Sequence, residues 1–321
     1  MDSYRLSRHH FLAEWLTLSS FESIINAVRL EMSSSETKYR YLDKFSLETG
    51  IPPENLTKVF QIELEFHHRI VSTTYPSQRK ELYASLYNTV HPLLNQNGQQ
   101  KSSFQSLVRT FRPELENRSV LDVGCGSGQF LCDVAESFPH GELVGLDVSS
   151  TDLPQVSSRG IQFVRGDIID FSFDRQFDVV FSHQVFEHIA PADVSSHLRS
   201  IWSALVPRGT LILILPNRFW GPSDITRIMD NTYTGKIQAM GSHLNESSYS
   251  ELVPLLRKFG FSGVHTVIPY SQKLPLIRHL RVPPYLNYLF ERIGLLRHLS
   301  YLVRIRGRAA FKNPVVLVCE K

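Results

Sequence analysis

Residues 120–130, VLDVGCGSGQF, decide the fold class of this 321-residue chain. The first four residues form a largely apolar run that is typical of a buried strand, and a helical pattern begins at Phe130. Between them lies a turn that contains Gly124, Gly126 and Gly128. Glycine allows left-handed backbone conformations and a close approach of a ligand, and the free N–H groups at the start of a helix attract polar ligands. The segment therefore predicts a strand, a turn and a helix that contact a nucleotide-like ligand.

Further short apolar runs follow at 143–148, 161–164, 177–182 and 210–215, and helical patterns lie between some of them. Strands that alternate with helices are typical of a parallel sheet, because a crossover must carry the chain back to the start of the next strand. Two more candidate strands lie at 263–269 and 314–319. The sequence therefore predicts an α/β protein with a doubly wound, Rossmann-like sheet of about seven strands.

The chain is long enough for two domains of roughly 150 residues each. Residues 1–103 are predicted to form a helical cap that ends in QNGQQKSS, a linker at 96–103 without apolar residues. Residues 104–321 are predicted to form the ligand-binding domain. Within that domain, residues 272–308 are predicted to be a helical insertion before the last strand, with an apolar stripe along 285–303.

Composition and charge narrow the class of protein further. With 42% hydrophobic and 20% charged residues, the chain is an ordinary globular protein and not a disordered or fibrous one. The net charge is +3, but residues 273–308 contain eight Lys or Arg and one acid, which is a local +7. This concentration argues against a uniformly basic nucleic-acid surface. Residues 272–308 are predicted to be either a flap packed on the domain or a lid that touches a lipophilic acceptor or a membrane surface.

The sequence predicts no metal site and no disulfide framework. The three cysteines are odd in number and lie in apolar patterns, and the His9-His10 and His67-His68 pairs lack an acid or cysteine at metal-ligand spacing. The first residues mix charges into their apolar positions, unlike a signal peptide, and the longest central apolar run is too short to span a membrane. The chain is therefore predicted to be cytoplasmic, with peripheral membrane contact as the alternative.

The glycine turn departs from the dinucleotide-binding fingerprint, which requires its third glycine at the position of Gln129. Asp122 precedes the glycines, so the pattern reads D-x-G-x-G-x-G, which resembles the first motif of class I S-adenosylmethionine-dependent methyltransferases. The segment 177–189, FDVVFSHQVFEHI, resembles small-molecule methyltransferases of the ubiquinone-biosynthesis type. The segments at 205–217 and 243–261 also resemble this family.

The resemblance implies S-adenosylmethionine as the cofactor and assigns residues to its parts. Asp122 is expected near the ammonium of the methionine end, and Asp147, nineteen residues past Gly128, near both ribose hydroxyls. Asp167 and Ile168 are expected at the adenine. The full set of expected cofactor-binding residues is Asp122, Gly124, Cys125, Gly126, Gly128, Gln129, Asp147, Val148, Asp167, Ile168, Ser182 and His183.

The predicted activity is methyl transfer to a small molecule, with oxygen preferred over nitrogen or carbon, in secondary-metabolite, glycan or quinone-type biosynthesis. The protein would mainly align the acceptor within about 3 to 3.5 Å of the methyl carbon. The candidate bases for removing an acceptor proton are His188, His183 and His243, and a structural role for each stays open.

Two other functions stay open at this point. Methyltransferases that act on base nitrogens commonly carry an (Asp/Asn/Ser)-Pro-Pro-aromatic motif, but residues 182–185 read Ser-His-Gln-Val, which argues against a nucleic-acid substrate. A protein substrate, or S-adenosylmethionine binding without catalysis, is the remaining alternative. The sequence predicts neither the acceptor nor the oligomeric state.

Overall fold

The computed structural model describes residues 39–94, 103–148, 159–232, 237–267, 278–293, 304–305, 308–309 and 314–321. The His9-His10 pair, most of the predicted linker at 96–103 and much of the predicted insertion at 272–308 lie outside the described residues. In the part of the chain that is described, no helix is both long and apolar enough to cross a membrane.

Ten short strands are present in the described residues. They are β1 Val120–Val123, β2 Leu143–Asp147, β3 Gln162–Arg165, β4 Phe177–His183, β5 Leu205–Leu215, β6 Ser262–Val267, β7 Arg281–Val282, β8 Arg304–Ile305, β9 Arg308–Ala309 and β10 Val315–Glu320.

Eight of these strands form one sheet in the order β3-β2-β1-β4-β5-β10-β6-β7. Strands β1 to β5 are parallel, and β10 is antiparallel to both β5 and β6. The order reverses between β1 and β4, and in open α/β sheets ligands bind at such a point, outside the carboxyl ends of the strands. The predicted doubly wound α/β fold is confirmed, with one strand more than expected.

Nine helices flank the sheet in the described residues. They are α1 Leu42–Thr49, α2 Pro53–Ser72, α3 Pro76–Leu94, α4 Gln105–Thr110, α5 Arg112–Leu115, α6 Gln129–Ser137, α7 Val194–Ala204, α8 Tyr249–Lys258 and α9 Tyr285–Arg292. Helices α2 and α3 each begin with a proline, which suits a first turn because its missing N–H has no partner there anyway. Three short 3₁₀ turns, Phe186–His188, Arg218–Trp220 and Ile225–Ile228, lie in the connections.

The predicted insertion at 272–308 is not wholly helical. Strand β7 lies within it and pairs with β6, with Thr266 opposite Val282. An unpaired sheet edge leaves backbone N–H and C=O groups open, and β7 covers part of that edge. Helix α9 ends at Arg292, followed by Ile293 in a non-helical conformation, so the helical pattern expected over 285–303 is shorter in the described residues.

Two apolar clusters cover the faces of the sheet, and a third joins the N-terminal helices to the domain. The third cluster packs Leu56, Phe60 and Ile70 of α2 with Ile225 and Ile228 of the last 3₁₀ turn. Burial of such side chains stabilises the fold by roughly 1.5 to 3 kcal/mol each. The helical region is therefore packed onto the α/β domain through a continuous apolar contact.

A buried ion pair fixes helix α3 to the segment after β4. The guanidinium of Arg79 donates through Nε to Asp193 Oδ2 at 2.7 Å and pairs with the other oxygen through Nη2. Both side chains are only 4% exposed. The nearby Tyr83 hydroxyl accepts a hydrogen bond from the Ala190 N–H at 2.7 Å. These contacts hold α3 across the carboxyl ends of the first strands.

Candidate active site

The glycine turn follows β1 and leads into α6, as expected from the sequence. Gly124, Gly126 and Gly128 all have positive φ, at 77°, 50° and 68°. A Cβ added at Gly124 would lie 2.3 Å from a methyl group of Val185, whereas one at Gly126 would meet no atom within 4 Å. Position 124 therefore requires glycine for both its conformation and its packing, and position 126 faces open space beside the backbone.

Two aspartates lie beside this turn. Asp122 is buried in β1, and burial together with the nearby Asp147 raises its pKa well above the usual range. Asp147 ends β2, and its Oδ2 accepts from the Gly126 N–H at 2.8 Å. A buried acid beside a second acid gains stability from a positively charged partner. The pair therefore suits a ligand that carries an ammonium group and hydroxyls.

A cavity of about 350 Å³ lies between α3 and the carboxyl ends of β2 and β3. Three of the predicted cofactor-binding residues line it, Val148, Asp167 and Ile168. The Asp167 carboxylate accepts from the Ile169 N–H at 2.9 Å and lies 3.2 Å from Lys80 Nζ of α3. The cavity therefore lies at the sheet edge where the topology predicts a ligand.

Helix α3 and the turn after β4 complete the cavity wall. Tyr83 and Tyr87 come from α3, and His188 comes from the 3₁₀ turn after β4. The rings of Tyr87 and His188 meet edge to face with centroids 6.0 Å apart. The N-terminal helical region thus contributes residues to the site.

Three other predicted site residues lie around the turn and β4, of which Cys125 and Ser182 are buried and Gln129 is half-buried. Burial raises the pKa of the Cys125 thiol, and a Cβ added at Gly145 would lie 2.6 Å from its Sγ, so this cysteine fills space and is not an activated nucleophile. Gln129 donates to Asp133 within α6 at 2.7 Å. Ser182 has a buried Oγ without a hydrogen-bond partner among the described residues.

Only two of the three predicted histidine bases lie together. His183 packs against Phe104 and Phe181, with ring centroids 5.6 and 6.2 Å away, and burial lowers its pKa to about 4. By contrast, the rings of His188 and His243 are 4.7 Å apart. His188 also lines the cavity, so of the three it has the position that the base prediction requires.

His188 and His243 differ in their protonation state at neutral pH. Burial lowers the pKa of His188 to about 3, and its Nδ1 lies 3.1 Å from the Ser242 carbonyl oxygen. Nδ1 must then donate the proton, which leaves Nε2 as an acceptor. Burial disfavours the charged form of His243, but the 2.6 Å contact from Nδ1 to Glu246, together with the negative charges of Asp224, Glu187 and Glu246, outweighs burial and raises the pKa to about 9. His243 is therefore protonated at neutral pH and unsuited to accept a proton.

Glu187 lies next to His188 in the 3₁₀ turn after β4. It is fully buried, and neither of its carboxylate oxygens accepts a hydrogen bond from another described residue. Burial raises its pKa to about 7. In the sequence, Glu187 can be recognised as the acid of the acid-His pair one turn past β4. Glu63 reaches the same region from α2, but no local sequence pattern indicates it.

Residues 120–209 match the model of a family described as a methyltransferase domain. The chain contains a class I S-adenosylmethionine-dependent methyltransferase domain. The match extends from β1 into β5 and so includes the glycine turn, Asp147 and Glu187.

Curated relatives match the methyltransferase domain over part of their length. A trans-aconitate 2-methyltransferase from Sinorhizobium fredii is 31% identical over 115 residues, which is 35% of this chain and 44% of the relative. A dTDP-3-amino-3,6-dideoxy-alpha-D-glucopyranose N,N-dimethyltransferase from Streptomyces fradiae is 29% identical over 174 residues, or 52% of this chain and 64% of the relative. The chain spans less than half the length of the first of these relatives.

A solved structure of a 1,6-didemethyltoxoflavin-N1-methyltransferase from Burkholderia thailandensis is also similar. It has a TM-score of 0.46 and 16% identity, and the comparison covers 78% of this chain and 91% of that one.

The cofactor of the methyltransferase domain is S-adenosylmethionine, and the residues present fit it. The open space at Gly126 leaves room against the backbone of the turn. The buried Ser182 hydroxyl offers an unused donor and acceptor at the end of β4. Val148 and Ile168 provide apolar surface, and Asp167 a polar group, in the same cavity.

Proposed function

We propose that this chain transfers a methyl group from S-adenosylmethionine to an oxygen of a small-molecule acceptor. The observation that carries the proposal is the cavity of about 350 Å³, in which the expected cofactor-binding residues Val148 and Ile168 share one space with His188. Helix α3 covers that space, so the cavity suits a small acceptor better than the extended surface of a nucleic acid or a folded protein.

The residues around the cavity have separate roles in this proposal. Asp147 binds the ribose hydroxyls, Asp122 lies near the ammonium end, and Asp167 with Val148 and Ile168 holds the adenine. When bound, S-adenosylmethionine supplies an electrophilic methyl group. Tyr83 and Tyr87 exclude water from the cavity and help to align the acceptor, which accounts for most of the expected rate enhancement.

A carboxylate acceptor is already ionised at neutral pH, whereas a hydroxyl acceptor must also lose its proton. His188 lines the cavity with Nε2 as the acceptor nitrogen, so an acceptor hydroxyl could donate a hydrogen bond to it. The relatives differ in acceptor atom, since one is a malonyl-[acyl-carrier protein] O-methyltransferase and another an amino-sugar N,N-dimethyltransferase. We propose oxygen because Nε2 of His188 can accept a hydrogen bond from a hydroxyl group in the cavity. We also propose that the methyl acceptor belongs to secondary-metabolite, glycan or quinone-type biosynthesis.

The test is transfer of radiolabelled methyl groups to a panel that contains small carboxylic acids, sugars, phenols, amines, RNA and a protein mixture. We expect product with a small hydroxyl or carboxylate compound. Labelling of RNA or protein alone would contradict the small-molecule acceptor. Binding of S-adenosylmethionine without transfer to any acceptor would instead favour a non-catalytic role.

A further inference from the structure

Glu187, His188 and His243 form one compact group beneath the N-terminal helices. Their candidate ligand atoms all lie within 4.8 Å of one another. Ligands around a metal ion at roughly 2.1 Å are about 3 to 3.5 Å apart, so side-chain movements of about 1 Å would bring these three onto one ion. The group includes residues distant in sequence, since His243 lies on the loop before α8.

The two imidazoles already have the orientation that metal-binding histidines usually have. The outer nitrogen of such a histidine typically donates to a carbonyl or carboxylate, which fixes the ring and its tautomer. Nδ1 of His188 contacts the Ser242 carbonyl oxygen at 3.1 Å, and Nδ1 of His243 contacts Glu246 at 2.6 Å. In each ring, Nε2 is the nitrogen that remains for a metal ion, and at the protonated His243 a bound ion would displace the Nε2 proton into solvent.

Glu187 supplies an independent observation that points to a ligand. Its side chain is fully buried, yet neither carboxylate oxygen accepts a hydrogen bond from another described residue. Burying such an acceptor without a partner is costly, and more so when it is charged. A cation bound between Glu187 and the two imidazoles would remove that cost.

The surrounding charge also favours a cation. Glu63, Asp224 and Glu246 are buried next to the group, and Glu246 has a second oxygen without a hydrogen-bond partner among the described residues. Glu63 accepts from the Ser242 N–H at 2.7 Å, and Asp224 accepts from the Gly241 N–H at 2.8 Å. In the described part of the chain, none of these carboxylates forms an ion pair with Arg or Lys, and the one ion pair among them joins Glu246 to His243.

We propose that Glu187, His188 and His243 bind a divalent transition-metal ion of the Zn²⁺ type. Two nitrogen donors and one carboxylate suit such ions, whereas Mg²⁺ and Ca²⁺ prefer oxygen ligands throughout. Three protein ligands leave at least one coordination position open, which is typical of catalytic metal sites.

The position of the site gives the metal ion a role in the proposed methyl transfer. His188 belongs to both the metal-binding group and the cavity wall, so the open position of the ion borders the cavity. There the ion would bind an acceptor oxygen and lower its pKa, and Nε2 of His188 would be a ligand and not a base. This role rests on the proposed function, whereas the metal site itself does not.

The site is tested by calorimetric titration of the chelator-treated full chain with ZnCl₂ and, separately, with MgCl₂. We expect one tightly bound Zn²⁺ per chain and no comparable binding of Mg²⁺. Glu187→Gln and His243→Gln should each weaken Zn²⁺ binding by at least about 100-fold, since even the loss of an outer partner usually costs 10- to 100-fold. His197→Gln is the matched control. His197 is also buried and hydrogen-bonded to a backbone carbonyl, that of Ile168, but it does not belong to the proposed metal-binding group.

Absence of saturable Zn²⁺ binding in the wild type would overturn the proposal. So would wild-type affinity in Glu187→Gln, because the ion would then occupy another place such as the His67-His68 pair. If the variants fail to fold, anomalous scattering from wild-type crystals grown with ZnCl₂ decides, since the peak must lie between Glu187 and the two imidazoles. S-adenosylmethionine titration of the same preparation tests the proposed function separately, because cofactor binding does not need the ion.

Discussion

Asp147 carries the expected contact with the ribose, and its replacement is the sharpest test of the cofactor site. The loss of two hydrogen bonds to a charged acceptor costs about 1.5 to 3 kcal/mol each. Calorimetry on Asp147→Ala should therefore show S-adenosylmethionine binding at least about tenfold weaker than in the wild type. Asp174→Ala is the control, because that side chain is 89% exposed on the surface. Equal affinity of a folded Asp147→Ala variant and the wild type would remove Asp147 from the site.

A comparison of Gly124 with Gly160 distinguishes two reasons why a position requires glycine, its backbone conformation and its packing. Both have positive φ, at 77° and 71°, but a Cβ at Gly160 would meet no atom within 4 Å, whereas one at Gly124 would overlap Val185. An alanine in this conformation costs roughly 1 to 2 kcal/mol by itself. Gly124→Ala should lower the free energy of unfolding by about 1 to 3 kcal/mol more than Gly160→Ala, because of overpacking. Denaturant titration measures the difference, and equal losses would show that Val185 yields without strain.

Helix α9 is the described element that could contact a membrane surface. Tyr285, Leu286 and Leu289 are 61%, 56% and 57% exposed, and Arg292 lies on the same short helix. Such a helix can bind an anionic surface, with each basic residue contributing on the order of 1 kcal/mol at low ionic strength.

Co-sedimentation with vesicles tests this role of α9. We expect binding to anionic vesicles at low salt, weaker binding at high salt because of screening, and a marked loss in Leu286→Ser/Leu289→Ser. Leu47→Ser is the control, since Leu47 is an exposed leucine of α1 at 88% exposure. If neither anionic nor neutral vesicles bind the wild type, the segment is a flap with a structural role.

The elements that depend on local patterns were predictable, and those that depend on distant partners were not. Strands β1 to β4 follow their apolar runs to within one residue. Strands β1, β2 and β4 are almost wholly buried and must therefore be largely apolar, whereas β3 lies at the sheet edge and is only half-buried. Strand β7 has two residues and exists only through its pairing with β6, so no local pattern could indicate it. The contact of Glu63 with Ser242 likewise joins α2 to a loop far along the chain.

The whole molecule should become less stable in acid because it buries neutral histidines. The pKa of His197 is lowered to about 4 by burial, below its usual value of 6.5. The unfolded chain therefore binds this proton more readily, so His197 contributes its full stability above pH 6.5 and loses it as the pH falls toward 4. The contribution is about 3 kcal/mol at 1.36 kcal/mol per pKa unit.

His197→Gln should accordingly flatten the fall in unfolding free energy between pH 6.5 and 4, even if the variant is less stable at neutral pH. Chemical denaturation at several pH values measures the slope. His183 is also buried with a lowered pKa, so some acid sensitivity should persist in the variant. An unchanged slope would show that His197 is charged in the folded state.

The buried ion pair of Arg79 and Asp193 should affect the rate at which product is released. Helix α3 forms one wall of the cavity and is held by this pair, so we expect a product bound against α3 to leave faster when the helix separates from the segment after β4. Release of a spent ligand, and not the chemical step, then sets the turnover in many enzymes built this way. In Arg79→Lys, which keeps the charge but loses the two-pronged contact, we expect S-adenosylhomocysteine to dissociate several-fold faster in stopped-flow displacement. An unchanged dissociation rate would mean that ligands exchange without movement of α3.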